Sequence, residues 1–185
     1  MLLFWIIWMT WLGSELIFNI LMRSGTSDKK KLDKGTFWFI WIMLTVAITA
    51  AINLTNFTSL SIAGSRTVPY CGLGMIVAGM IFRLIAILTL GRFFTTNLTI
   101  RESHTLKKEG IYKFIRHPSY TGSLVSFAGF GLSLNNWLSL SVIVLLVTIA
   151  FLRRIKVEEQ LLIEQFGKEY LDYRSHSYYL IPWVY

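Results

Sequence analysis

Three runs, residues 2–22, 36–58 and 69–91, are apolar almost throughout, and Glu15 and Arg83 are the only acidic or basic side chains in them. As a helix, each run is long enough to cross about 30 Å of hydrocarbon at about 1.5 Å per residue. A soluble chain of 185 residues could not bury all three and still present enough polar surface. The chain is therefore expected to be an all-α integral membrane protein, and its 54% hydrophobic content agrees. Its length suits a single domain over residues 1–185.

Two more spans are expected further on. Between Gly122 and Leu152 the apolar sequence is broken only by Asn135-Asn136, a tight polar turn that makes a helical hairpin. With Pro118 as the first helical residue, helix four runs over 118–134 and helix five over 137–154. Both are near the short limit for a span, so the hairpin is expected to be little tilted or to sit where the bilayer thins. The segment 157–173 places Leu162, Phe166, Tyr170 and Tyr173 at helical spacing among charges, which predicts an amphipathic helix on the membrane surface, weakened by Gly167. The closing Leu180-Ile-Pro-Trp-Val-Tyr suits the headgroup layer.

Orientation follows from the basic residues. With five spans, sixteen of the 18 Lys and Arg fall on one side, leaving only Arg66 on the other and Arg83 inside a span. That side is expected to be cytoplasmic, with the N-terminus outside; the membrane would be the cell membrane, or the endoplasmic reticulum in a eukaryote. The first run lacks a basic n-region and a small-residue cleavage site, so it reads as a retained span. The net charge of +8 thus reports topology and anionic lipid headgroups, and no basic stripe with interleaved aromatics points to nucleic acid. The single cysteine, Cys71, excludes an internal disulfide and reads as a small buried apolar residue. No two of His104, His117 and His176 have helical ligand spacing, so no metal site is expected.

Chemistry-bearing residues gather at the expected cytoplasmic mouth. The connector after span three supplies Asn97, His104 and Tyr112, the turn before helix four supplies His117 and Tyr120, and the end of helix five supplies Arg154, Glu158 and Glu159. Taken singly, these have plain readings: Arg153-Arg154 is a stop signal, the tyrosines are interfacial, and Glu159 is a solvated surface charge. Glu15 and Arg83 lie at one depth, about seven and eight residues from the cytoplasmic ends of their spans, or about 10–12 Å at helical rise. They are expected to face the bundle interior, as a direct or water-bridged pair or lining the inner end of the site, with Asn19 on the same polar face.

The blocks His104-Thr-Leu-Lys107, Gly110-Ile-Tyr112, Arg116-His-Pro-Ser-Tyr-Thr-Gly122, Arg154-Ile-Lys-Val-Glu158 and Phe166-Gly-Lys-Glu-Tyr170, with the closing Ile181-Pro182, resemble the isoprenylcysteine carboxyl methyltransferase family. The resemblance covers residues 79–182; Arg-His-Pro-x-Tyr alone also occurs in phospholipid N-methyltransferases and sterol-reductase-like membrane enzymes. Lys107 stands where the family usually has a small apolar residue, and Asn97 where a relative carries Gln. The resemblance implies an S-adenosylmethionine (SAM) enzyme whose cofactor contacts would be Asn97, His104, Thr105, Leu106, Lys107, Tyr112, His117, Pro118, Ser119, Tyr120 and Glu158. Arg154 would hold the acceptor carboxylate, so Arg154 and Glu158 would flank the reacting centre. The acceptor would be lipid-like or prenylated.

Physical chemistry fits that implication. A carboxylate is already ionised at neutral pH, so methylating it needs alignment and loss of water rather than a general base. Arg154 can grip a carboxylate through a fork of donors, and Glu158, one turn on, faces the same side. Methyl-ester formation on an isoprenylcysteine-like acceptor is the leading expectation. Lipid-amine N-methylation, an NADPH-dependent membrane reductase and a silent membrane scaffold or transporter stay open as alternatives.

Overall fold

The computed structural model describes residues 2–21, 35–91 and 106–182. Its architecture is six helices and one 3-10 turn: α1 (Leu2–Leu21), α2 (Thr36–Phe57), α3 (Thr67–Leu90), the turn Gly110–Lys113, α4 (Pro118–Ser133), α5 (Trp137–Phe166) and α6 (Lys168–Ser175). Three of these, α2, α3 and α5, are long and apolar enough to cross a membrane; α1 is apolar over the shorter stretch Leu2–Phe18. Large side chains such as Trp5, Met9, Ile42, Ile81 and Leu88 point outward, which suits hydrocarbon rather than water.

The hairpin forms as its polar turn requires. Asn135 takes a left-handed φ of 52°, which Asn tolerates better than most residues, and Asn136 caps α5 by accepting from the Ser139 N–H at 3.1 Å. The same pair fastens the turn to the α2–α3 loop, Asn135 donating to the Ala63 carbonyl at 2.8 Å and Asn136 to Thr58 Oγ1 at 2.9 Å. The buried Asn136 amide at this end of the bundle is thereby satisfied.

Helices α3 and α4 touch backbone to backbone. Gly72 and Gly79 of α3 face Gly129, Ser133, Gly122 and Ser126 of α4, and a Cβ on Gly122 would lie 2.7 Å from the Arg83 nitrogen. This is the small-residue contact that lets helices pack closely where there is no hydrophobic drive between them. On the other flank α2 packs on α5 through Ala47 and Ala51, with Ser139 Oγ donating to the Ala51 carbonyl at 2.8 Å. Trp11 of α1, fully buried, meets Phe127 edge-on at 4.7 Å, and Phe127 continues to Phe151 of α5. Glu15 and Arg83 pair directly, as their equal depth predicts; the Asn19 side chain lies outside the described residues.

Three expectations are corrected. Helix five does not stop at 154: α5 continues to Phe166, because 154–166 holds no breaker and its buried residues Arg154, Ile155, Glu159 and Leu161 pack inward. The separate amphipathic helix over 157–173 is therefore the distal end of α5 followed by the short α6, with Gly167 at φ +54° making the corner between them. Cys71 is exposed on the outward side of α3 rather than buried.

Candidate active site

The segment before α4 is built to hold a histidine still. Pro118 opens α4 without needing its missing N–H, so His117 sits at the cap position with its ring buried. Arg116 and Tyr178 run side by side, the Arg116 N–H donating to the Tyr178 carbonyl and the Tyr178 N–H to the Phe114 carbonyl, both at 2.8 Å. Thr121 of α4 donates to the Leu180 carbonyl at 2.7 Å. The C-terminal segment is thus laid across the start of α4, and Tyr179 packs against the His117 ring.

His117 lies between two adjacent carboxylates of α5. Its Nε2 is 3.3 Å from Glu159 Oε1, and its Nδ1 is 3.8 Å from Glu158 Oε1. Glu158 accepts from the Tyr120 hydroxyl at 2.9 Å, yet keeps 30% of its side chain exposed. Arg154, one turn earlier, is buried and donates to Thr36 Oγ1 at the start of α2, at 2.6 Å. Its neighbour Arg153 faces the other way, over the Phe39 ring at 4.3 Å.

Glu159 is not the solvated charge expected of it. It is 6% exposed, and its Oε1 accepts from Arg116 Nε at 3.0 Å and from the Tyr170 hydroxyl at 3.1 Å as well as facing His117. Beside it, the Tyr173 hydroxyl donates to the Tyr112 carbonyl at 2.6 Å, and Tyr112 reaches toward the Ala86 carbonyl at the end of α3. Burial, with the Glu158 charge adding to it, pushes the Tyr112 phenol up; burial and then the Glu159 charge do the same to Tyr170.

Of the residues singled out in the sequence, Tyr112, His117, Pro118, Tyr120, Arg154 and Glu158 do converge at one end of the bundle. Ser119 is half-buried on the first turn of α4. Leu106 is half-buried, and Lys107 forms a surface ion pair with Glu109 at 3.2 Å. Asn97, His104 and Thr105 lie outside the described residues. The sequence places Glu159 at this mouth but reads it as a solvated charge, and it points to no role there for Arg116 or Tyr170, although Arg116 immediately precedes His117-Pro118 and Tyr170 ends the Phe166-Gly-Lys-Glu-Tyr block.

The model of the isoprenylcysteine carboxyl methyltransferase (ICMT) family matches residues 72–164, half of the chain, and takes in most of α3, the His117 turn, α4 and most of α5. The chain belongs to the ICMT family. Protein-S-isoprenylcysteine O-methyltransferase B of Arabidopsis thaliana is 40% identical over 115 residues, 61% of this chain and 58% of that protein. The Saccharomyces cerevisiae protein-S-isoprenylcysteine O-methyltransferase is 38% identical over 112 residues, 60% of this chain and 47% of its own length. The solved structure of the eukaryotic intramembrane Ras methyltransferase ICMT superposes with a TM-score of 0.66 at 27% identity, covering 83% of this chain and 55% of that one. The chain therefore spans roughly half of the length of these ICMT relatives.

Proposed function

We propose that this protein is a SAM-dependent carboxyl methyltransferase that esterifies an amphiphilic, isoprenylcysteine-like carboxylate at the cytoplasmic face of a membrane. The observation that carries the reading is the Tyr120–Glu158 pair beside His117, with Arg154 one turn back on the same face of α5, in a chain of the ICMT family. In this reading five helices span the membrane, and the sixteen clustered cations keep α6 and the C-terminal segment on the cytosolic side.

The donor set fits SAM. Glu158 has acceptor capacity left beyond the Tyr120 bond and a partly open carboxylate, so it can take a ligand ammonium or hydroxyl group. Tyr112, His117, Pro118, Ser119 and Tyr120 would form the walls around it, with Asn97 and His104 to Lys107 supplied by the connector. When bound, SAM supplies a methyl group on a sulfonium sulfur that an ionised carboxylate can displace unaided. Arg154 supports the acceptor side: its guanidinium is held by Thr36 in a buried setting, where a carboxylate sheds water and is met by fixed donors. An acceptor ammonium would meet that same cation unfavourably, which argues against lipid amines.

The test uses the purified full chain in detergent with methyl-labelled SAM and an S-prenylated cysteine bearing a free carboxylate. Label released by mild alkali identifies a methyl ester. Alkali-stable label on an added aminolipid would replace the reading with N-methylation, and no calorimetric SAM binding would leave a silent scaffold.

A further inference from the structure

Glu159 is a buried carboxylate met by Arg116, His117, Tyr170 and Arg174, and the proposed chemistry does not use it. One oxygen, Oε1, receives Arg116 from the segment before α4 and Tyr170 from α6, and stands 3.3 Å from the His117 ring; the other is 3.9 Å from Arg174. Arg116 in turn donates to the carbonyls of Arg174 and Ser177 and lies over the Tyr179 ring. The segment before α4 and α6, far apart in sequence, are therefore both fastened to a single carboxylate of α5.

We propose that Glu159 is the positioning residue of this site, fixing the His117 ring by accepting from its Nε2 while it anchors the C-terminal segment through Arg116 and Tyr170. A carboxylate can only accept, so a hydrogen bond to Nε2 requires the proton on that nitrogen. In the neutral ring this leaves Nδ1 as an acceptor, turned toward Glu158 Oε1 at 3.8 Å. Two acceptors that face each other with this gap make a receptor for an N–H donor of a bound cation, and Glu159 sets which way it faces. The division of labour is that Glu158 touches the ligand whereas Glu159 acts through His117. This rests on the SAM reading for the identity of the ligand, but not for the orientation of the ring.

Two readouts separate the claims. In full-length protein carrying isotope-labelled histidine, the His117 imidazole nitrogens, assigned by their loss in His117→Gln, should show the proton on Nε2; a proton confined to Nδ1 overturns the proposal without any variant of Glu159. In Glu159→Gln, folded by its melting transition, the His117 resonances should shift and SAM affinity and KM should worsen about tenfold, as when a buried charged acceptor is lost, while the acceptor KM stays within a few-fold. Unchanged His117 resonances together with unchanged SAM affinity would overturn it. If the wild-type protein binds no SAM, the functional reading fails and the imidazole spectrum alone decides the role of Glu159.

Discussion

Arg83 of α3 and Glu15 of α1 meet at 2.7 Å inside the bundle, and the same guanidinium nitrogen also bonds Ser123 of α4. Ser123 lies three residues after Tyr120, so the cluster forms a polar layer one turn deeper than the Tyr120–Glu158 pair. It is also the principal polar tie between α1 and the α3–α4 pair among the described residues, beside apolar packing through Trp8 and Trp11.

Arg83→Leu leaves a carboxylate uncompensated in that layer, which should destabilise the detergent-purified protein by about 3–5 kcal/mol. Glu15→Gln combined with Arg83→Leu removes both charges and should recover much of the loss. Thermal melts of the single and double variants decide it; a double variant no better than Arg83→Leu would show that the attraction itself is not what matters.

The α3–α4 contact predicts opposite outcomes for glycines that face it and for a glycine that does not. A Cβ on Gly122 would lie 2.8 Å from the Gly79 carbonyl, and one on Gly129 2.6 Å from the Gly72 carbonyl, so either Ala substitution must push backbones apart at a cost of about 1–3 kcal/mol. Gly74 of α3 has nothing within 4 Å of its added Cβ, so Gly74→Ala should be neutral or gain up to about 1 kcal/mol of helix propensity. Comparing melts of Gly122→Ala and Gly74→Ala tests whether close approach, not glycine content, is what α3 and α4 need.

Much of this was legible in the sequence, for reasons that differ by element. The apolar runs, Pro118 and Asn135-Asn136 fixed α1 to α4 and the start of α5 to within a residue or two, because hydrophobic length and turn chemistry are local signals. The end of α5 was not local: Arg153-Arg154 reads as a stop only if the helix must leave the membrane and halt, whereas the chain continues as helix until Gly167 provides a left-handed corner. The convergence of His117, Tyr120, Arg154 and Glu158 was legible from the common membrane face of their segments and from the family resemblance, not from spacing alone. The burial of Glu159 was not, since a glutamate beside another glutamate looks solvated until Arg116 and Tyr170, each more than ten residues away, are folded onto it.

Arg154 is expected to serve the acceptor rather than SAM. Arg154→Lys keeps the charge but loses the planar fork by which it meets Thr36 and, in the proposed reading, would meet the acceptor carboxylate. Methyl transfer should fall by about tenfold or more while SAM affinity stays within a few-fold, a pattern seen when an interaction is lost only on the acceptor side. Equal losses of SAM affinity and turnover would move Arg154 to the cofactor side.

The last expectation concerns alkaline pH and the C-terminal segment. Burial pushes the Tyr173 phenol up to about 12, above the ordinary value of about 10, against the lowering pull of the Arg116 charge, and the neutral hydroxyl donates to the Tyr112 carbonyl at 2.6 Å. A group raised in the folded state contributes stability that is fully present below its unfolded value and is lost as pH rises through its folded one. The docking of α6 on the 3-10 turn should therefore hold up to about pH 10 and loosen between about 10 and 12, and Tyr170, also raised by burial, should not ionise ahead of it. Tyrosinate absorbance followed alongside protease sensitivity of the C-terminal segment measures both events, and Tyr173→Phe identifies the step that belongs to this residue. If Tyr173 ionises near the ordinary value of about 10, or the segment loosens without any tyrosine titrating, the Tyr173–Tyr112 bond is not what holds the segment in place.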